Sequence, residues 1–177
     1  MALQQSLPNV KRRLEKYLRR KEVYDIFLIG SAVKGKAFPA DIDAVIAFRE
    51  KKNPSIIQEV KQEQVHAEYV TLGELFTQSL WQTIIREGYS LREKKQVSAA
   101  LGLSSYGLFT FELTSLKRKA RFSQVLHGYK AVSPLEEAKG KQIKPGAVIV
   151  PIEKVEYFRA FLETWNVEYG LKYCFMG

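Results

Sequence analysis

The chain has 177 residues and an apolar content of 46%, enough for one large domain or two small ones with a substantial core. Its 28 lysines and arginines against 19 acidic residues give a formal charge of +9, which favours a polyanionic partner such as nucleic acid, although basic surfaces also serve solubility. A single cysteine excludes an internal disulfide and a cysteine-rich zinc cluster. Without a membrane-length apolar run or a signal-peptide pattern, the sequence predicts a cytoplasmic protein with no membrane partner.

The first predicted elements are a basic helix and two apolar strands. A helix is predicted over residues 7–21, with Pro8 in its first turn and many basic residues outside its apolar stripe. That basic face is compatible with a solvated surface and equally with a contact to phosphates. The apolar run at residues 24–29 predicts the first strand, and the run at residues 42–48 predicts the second.

Two aspartates stand at the beginning of the second predicted strand. Because successive strand residues point to opposite faces, Asp41 and Asp43 share a face while Ile42 points into the core. Two neighbouring carboxylates on a buried strand are costly unless a positive charge lies between them. A divalent cation meets that need, and hard oxygen ligands favour magnesium. A solvated strand edge is the alternative explanation for the same pattern.

A glycine-serine turn and a short basic loop connect the two strands. Gly30 allows the backbone to approach a phosphate closely, and Ser31 offers a hydroxyl and an N–H where the strand is expected to lead into a helix. Lys34 and Lys36, on either side of Gly35, form a flexible basic segment suited to facing a polyphosphate. A Gly-Ser pair alone is also an ordinary turn, so its meaning depends on the aspartates that follow it.

Gly30-Ser31, the basic loop and Asp41-Ile42-Asp43 between apolar residues together resemble the signature of the DNA polymerase β-like nucleotidyltransferases, in particular the small, minimal prokaryotic members. The resemblance implies that the two aspartates hold two magnesium ions. It also implies that Gly30, Ser31 and Lys34 bind the phosphates of an NTP, for which ATP is expected. Members of that family transfer a nucleoside monophosphate to an acceptor and release pyrophosphate.

A third acidic residue lies on the next predicted strand. After a short helix predicted at residues 55–62, the alternating run at residues 65–70 predicts a strand on which Glu68 shares a face with His66. In the resembled family a third carboxylate follows on the strand after the Asp-x-Asp strand, and Glu68 is the acidic residue at that position. The resemblance implies that Glu68 completes the metal site and helps to remove a proton, whereas an isolated strand glutamate is usually a surface residue. His66 is interpreted as a surface or packing residue.

The resemblance extends over residues 7–92. A helix is predicted at residues 72–89 with Gly88 as its C-terminal stop, and the end of this segment resembles the close of the minimal nucleotidyltransferase domain. The sequence departs from the family pattern at Lys34 and Ala40, where similar proteins often carry arginine and serine. Neither departure removes a metal ligand.

Residues 93–177 match no family pattern and predict a small α+β module. Its predicted helices are at residues 93–101, 113–128 and 154–165, and its predicted strands are at residues 106–111, 147–152 and 169–175. The densest basic cluster of this half consists of Lys117, Arg118, Lys119 and Arg121. We expect this cluster to contact the phosphates of a nucleic acid, with a solvated helix face as the alternative.

Together, the residue patterns and the resemblance predict an α+β protein. A polymerase β-like nucleotidyltransferase core at residues 1–92, with a mixed sheet and flanking helices, precedes a C-terminal α+β module at residues 93–177 with a nucleic-acid-binding role. The expected activity is metal-dependent transfer of a nucleoside monophosphate from an NTP to RNA, with tRNA the most economical acceptor. Two alternatives stay open: a catalytically silent nucleic-acid-binding protein on the same fold, and a nucleotidyltransferase that modifies a protein side chain. The sequence leaves the oligomeric state open.

Overall fold

The computed structural model describes residues 7–36, 39, 41–114, 116, 118–128 and 132–177. The chain divides into two compact units, Met1–Gly102 and Leu103–Gly177. The division follows Gly102, whereas the sequence places the domain boundary after Arg92. The residues between these two positions belong to the first unit because they complete its sheet and its core. Over the described ranges, no helix is long and apolar enough to cross a lipid bilayer.

The first unit is a mixed sheet with helices on both faces. Its strands are β1 (Val23–Ile29), β2 (Asp43–Phe48), β3 (His66–Thr71), β4 (Tyr89–Ser90) and β5 (Lys95–Gln96), in the spatial order β3-β2-β1-β4-β5. Its helices are α1 (Leu7–Glu15), which a 3-10 helix at Lys16–Arg19 continues, α2 (Pro54–Lys61), α3 (Leu72–Thr77), α4 (Leu80–Glu87) and α5 (Val97–Ala100). Strand β2 runs parallel to β3 and antiparallel to β1. The mixed sheet with flanking helices that the sequence predicts is confirmed.

Alternation along β1 and β2 produces two apolar layers, one on each face of the sheet. One layer contains Ile26 and Ile46 with residues of α1 and α2. The other contains Phe27 and Val45 with residues of α3, α4 and α5. Because β2 is covered on both faces, residues 44–48 are all apolar and all buried, the pattern expected for a central strand.

The helix predicted at residues 72–89 is two helices and a strand. Gln78 has an extended backbone (φ −106°, ψ 152°) and ends α3, and Tyr89 already belongs to β4. Gly88 ends α4, as the sequence predicts, but at a φ of −72° and not in the left-handed conformation common at helix ends. A Cβ at Gly88 would lie 2.5 Å from the carbonyl oxygen of Ile84. Glycine is required there for space and not for backbone freedom.

The second unit is an antiparallel sheet with helices packed on one face. Its strands are β6 (Ser104–Phe111), β7 (Lys141–Lys144), β8 (Ala147–Pro151) and β9 (Tyr169–Met176), in the order β7-β8-β6-β9. Its helices are α6 (Lys119–Leu126), α7 (Pro134–Glu137) and α8 (Val155–Thr164), the last preceded by a 3-10 helix at Ile152–Lys154. The core between the sheet and the helices is rich in aromatic rings. Among them, the rings of Phe109 and Phe158 meet edge to face, with their centroids 5.1 Å apart.

Two predicted helices on either side of β6 are shorter than expected. The helix predicted at residues 93–101 is a turn, the short strand β5 and the single-turn helix α5, and Lys94 in the turn has a φ of 54°. The helix predicted at residues 113–128 is observed as α6, with residues 115 and 117 outside the described part of the chain. Residues 93–96, which form the turn and β5, are all polar, whereas Leu113 and Leu116 pack against the core of the second unit from the loop before α6.

A buried aspartate joins β1 to the turn that follows β4. The carboxylate of Asp25 accepts hydrogen bonds from the backbone N–H groups of Ile26 (2.6 Å) and Arg92 (3.1 Å) and from the hydroxyl of Ser90. Nε of Arg92 donates in turn to the carbonyl oxygen of Tyr24 at 2.5 Å. Burial raises the pKa of Asp25, and its hydrogen bonds oppose that rise.

Replacing Asp25 by alanine should lower the free energy of unfolding by about 1–3 kcal/mol, because buried donors would lose their acceptor. The raised pKa also fixes a pH dependence. The contribution of Asp25 to stability is full below the ordinary aspartate pKa of about 4 and declines as the pH rises through its folded-state pKa. The stability of Asp25→Asn relative to wild type should therefore improve from about pH 4 to about pH 7. Urea unfolding followed by Trp81 fluorescence, in a Trp165→Phe background, measures this in the first unit.

Glu74 provides a control of opposite sign. A hydrogen bond from the backbone N–H of Thr71, together with the ammonium group of Lys52, lowers the pKa of Glu74. Its contribution is present above the ordinary glutamate pKa and is lost as the pH falls through the folded-state pKa. Glu74→Gln should therefore lose stability relative to wild type as the pH rises. Equal trends in the Asp25 and Glu74 variants would contradict the assignment of a raised pKa to Asp25.

Candidate active site

The candidate site lies where β1 ends and β2 begins. The antiparallel register places Ile29 opposite Asp43. Gly30 follows β1 at a φ of 83°, and a Cβ at this position would lie 2.5 Å from Oδ2 of Asp43. A side chain at Gly30 would therefore be strained by the backbone and would collide with the carboxylate. Only glycine allows Asp43 to occupy this place, a steric role beside the close approach to phosphate that the sequence predicts.

The Asp-Ile-Asp segment has the predicted alternation. Asp41 lies just before β2 and is exposed, and Asp43 begins the strand with 40% of its side chain exposed. Ile42 between them is buried in the apolar layer that α1 and α2 cover. The carboxylates of Asp41 and Asp43 therefore lie on the opposite side of the strand from the buried Ile42.

Strand β3 brings His66 next to Asp43 and leaves Glu68 further along. The parallel register pairs Asp43 with His66, and Val45 with Glu68. Nδ1 of His66 lies 3.1 Å from Oδ1 of Asp43, and 76% of the His66 side chain is exposed. Glu68 is exposed on the same face of the sheet, two residues further along β3 than His66. The sequence interprets His66 as a surface or packing residue, but its contact with Asp43 makes it part of the candidate site.

Among the residues that the structure describes, no three His, Cys, Asp or Glu side chains converge on a point that could hold a metal ion. The structure thus brings Asp41 and Asp43 together at one strand end but does not close a triad with Glu68. Two carboxylates nevertheless fit magnesium, which proteins commonly bind through one or two carboxylates together with substrate phosphates and water. The hard, exposed oxygen atoms of Asp41 and Asp43 have the right chemistry for that ion.

The loop after β1 is fixed by its own contacts. Ala32 and Val33 are buried in the layer beneath α1 and α2. The N–H of Lys36 donates to the carbonyl oxygen of Ser31 at 3.0 Å and closes the loop, with Gly35 at a φ of 90°. The chain forms turns here, whereas the sequence predicts a flexible segment leading into a helix. Buried apolar residues and a closing hydrogen bond hold this loop in place.

A buried glutamate lies behind the loop. Glu87, the last residue of α4, is 5% exposed, and its Oε1 accepts a hydrogen bond from the backbone N–H of Gly30 at 3.3 Å. Its Oε2 lies 3.3 Å from Nζ of Lys34 and 3.6 Å from Nε of Arg86. The Lys34 side chain is only 14% exposed, so its ammonium group lies against Glu87. In the sequence, the one signal for Glu87 is its place before Gly88 in the segment that resembles the end of the domain, and this signal alone does not predict a role for it.

Three basic residues in the last turn of α1 or shortly after it are paired within the first unit. Nε of Arg13 and Nζ of Lys16 lie 3.1 Å and 2.5 Å from the carboxylate of Glu63. Arg20 forms a further ion pair with Glu59 of α2 at 3.1 Å. Of the two interpretations of this basic face, a solvated surface or a phosphate contact, the pairing of these three residues favours the solvated surface.

The basic cluster of the second unit differs from α1. Arg118, Lys119 and Arg121 are exposed at the N-terminal end of α6, and Lys117 lies outside the described residues. Within the described ranges none of the three forms an ion pair, and the first turn of α6 contains no acidic residue. Cations are unfavourable at a helix N-terminus by roughly 0.3–1 kcal/mol each, because the helix dipole is positive there.

The comparison with known families agrees with this geometry. The family model of the nucleotidyltransferase domain matches residues 11–96, which include the loop after β1, the two aspartates and β3. No curated protein and no solved structure shows significant similarity to the chain. Residues 11–96 therefore form a nucleotidyltransferase domain, in agreement with the polymerase β-like resemblance that the sequence shows over residues 7–92.

Proposed function

We propose that the protein transfers a nucleoside monophosphate from an NTP to RNA in a magnesium-dependent reaction and releases pyrophosphate. The observation that carries this proposal is the packing of Asp43 against Gly30, which sets this partly exposed carboxylate and the exposed Asp41 beside a closed loop in a nucleotidyltransferase domain. ATP is the proposed nucleotide and tRNA the proposed acceptor, and the reaction would take place in the cytoplasm.

Each part of the site has a proposed task. Asp41 and Asp43 would hold magnesium, which when bound offsets the charge of the triphosphate and lowers the pKa of the attacking hydroxyl. The hydroxyl and backbone N–H of Ser31 would bind phosphate oxygens. Lys36, the exposed cation of the loop, would face the triphosphate, with Lys34 adding positive charge from behind. A carboxylate oxygen of Glu68 would take the proton from the acceptor hydroxyl.

The second unit supplies the argument for RNA as the acceptor. The exposed cations at the N-terminus of α6 repel one another and the helix dipole, so a polyanion bound there would relieve an unfavourable arrangement. Contacts of this kind position a nucleic acid without reading its sequence. Lys117, Arg118, Lys119 and Arg121 are therefore proposed to hold the phosphate backbone.

The first prediction from this proposal concerns the transfer of the nucleotide to RNA. Each labelled NTP, incubated with wild type, magnesium, total RNA and a protein extract, should label RNA, with ATP the best donor. Asp43→Asn should lower transfer by roughly 10³- to 10⁴-fold, because the change removes a metal ligand and leaves the packing intact. Asp25→Asn is the matched control, since it makes the same change on the neighbouring strand and should retain transfer per folded molecule.

Other results of the labelling experiment would contradict the proposal in different ways. Label in protein would replace RNA by a protein side chain as the acceptor. No label with any NTP would favour a catalytically silent domain. Near-wild-type transfer by Asp43→Asn would remove the aspartate pair from the site.

The second prediction separates the two polar residues of β3. Glu68→Gln should lower kcat by about 10²- to 10⁴-fold, which is the usual contribution of a general base to the rate. The affinity for the NTP should change little. His66→Gln should have a small effect, because the carboxylate of Asp43 remains. Steady-state kinetics and equilibrium binding of the NTP measure both. A loss confined to the His66 variant would assign the proton-accepting role to His66 instead of Glu68.

The third prediction concerns the RNA partner. Changing Arg118 and Lys119 together to glutamate should weaken RNA binding about equally across sequences. It should also flatten the dependence of log K on log salt by roughly one unit for each phosphate that is no longer neutralised. Glutamate at both Lys139 and Lys141, which are exposed in the same unit, makes the same change of charge and is the control. Mobility shifts at several salt concentrations measure both variants, and equal losses of affinity would show that only net charge matters.

A further inference from the structure

We propose that Glu87 is a positioning residue for nucleotide binding: it fixes the loop after β1 at Gly30 and Lys34, and through Gly30 it fixes the carboxylate of Asp43. This inference rests on the proposed function of the same site. It concerns a residue of α4 outside the signature, and it gives a buried carboxylate a task in the reaction.

The buried charge of Glu87 is costly. A carboxylate that is 95% covered by protein is expensive unless cations and hydrogen bonds compensate it, and an apolar side chain of similar volume is commonly as stable. A glutamate that served only packing at the end of α4 would therefore gain nothing from its charge. Within the described part of the chain, the groups distant in sequence that Glu87 contacts are the backbone N–H of Gly30 and the ammonium of Lys34, and both belong to the loop.

Glu87 is also connected to Asp43 through the loop. Oε1 of Glu87 holds the beginning of the loop, and Oε2 lies against its middle, so one carboxylate bridges two points of the turn. The backbone of Gly30 in turn touches the carboxylate of Asp43, because a Cβ on Gly30 would lie 2.5 Å from Oδ2. A continuous series of contacts thus leads from Glu87 through Gly30 to Asp43. A shift of Gly30 would be transmitted directly to a proposed metal ligand.

The last turn of α4, which carries Glu87, is rigidly held. Ile84, one turn before Glu87, is fully buried in the layer that α3, α4 and α5 form over the sheet. Gly88 has no room for a Cβ against the carbonyl oxygen of Ile84, so the chain leaves the helix in close contact with its last turn. A side chain on so constrained a backbone can hold a loop to within the small tolerance that catalysis needs.

Electrostatics and positioning make opposite predictions for the removal of this charge. An NTP is strongly anionic, so removing a nearby negative charge should by itself tighten NTP binding. If Glu87 positions the loop, its removal should instead weaken binding, because the phosphate-binding groups no longer share one geometry. The sign of the change therefore distinguishes a positioning role from a passive one.

The test compares Glu87→Gln with wild type and with Glu63→Gln. Glu63 is a suitable control because its side chain is also largely covered, at 11% exposure, and also contacts two cations, Arg13 and Lys16. Glutamine keeps an acceptor for the N–H of Gly30 but loses the charge that faces Lys34. The readouts are the Kd for magnesium with each NTP, kcat, the melting temperature, and amide hydrogen exchange of Gly30 and Lys36.

For Glu87→Gln we expect the Kd to rise about 10- to 100-fold, the effect seen when residues behind a set of ligands are changed, together with a fall in kcat. Amide exchange at Gly30 and Lys36 should become faster. Glu63→Gln should leave the Kd, kcat and amide exchange unchanged, even if it lowers the melting temperature as much. Unchanged or tighter NTP binding in Glu87→Gln, or equal losses in both variants, would overturn the inference. A wild type that binds no NTP would instead overturn the proposed function, and that result is read from the wild-type arm alone.

Discussion

The contact between the backbone of Gly30 and the carboxylate of Asp43 is the constraint on which the candidate site depends. It follows from the antiparallel register of β1 and β2, which places the end of one strand against the beginning of the other. Because Asp43 fills the space that a side chain at Gly30 would need, the turn and the acidic motif are one structural unit. His66 meets this unit from β3, and Glu87 meets it from α4. The site is thus assembled from both neighbouring strands and from a helix end behind them.

The positive charge of the chain is divided into compensated and uncompensated parts. Around the C-terminal end of α1, glutamates of and just after α2 pair with Arg13, Lys16 and Arg20, and such surface pairs add little stability while they cancel the local field. At α6 the cations face solvent at the helix end where the dipole disfavours them. The formal charge of +9 therefore says less about a polyanionic partner than the placement of a few arginines and lysines does.

The sequence predicts the parts of this protein that local periodicity determines. Strands β1, β2 and β3 and the alternation around Ile42 follow from runs of apolar residues, and the Gly-Ser turn with Asp41 and Asp43 indicates the family.

The contacts of Glu87 and His66 could not be predicted, because they depend on strand register and on a helix packing across the sheet. The split between α3 and α4 was missed for a related reason: helical spacing of apolar residues continues through the extended Gln78. The sequence predicts that Lys34 faces a polyphosphate, and only the fold shows the carboxylate beside it.

The close contact of Gly88 with the last turn of α4 limits how the sequence of this domain can diverge. Helix α4 passes into β4 through this one residue, and an extra residue inserted at the end of the helix would turn the Glu87 position by about 100° around its axis. Insertions and deletions should therefore be excluded here over evolutionary time, while the exposed turn at residues 49–52 should tolerate changes in length more readily. Among distant relatives, the spacing between the last turn of α4 and β4 should vary less than the identity of the residues around it.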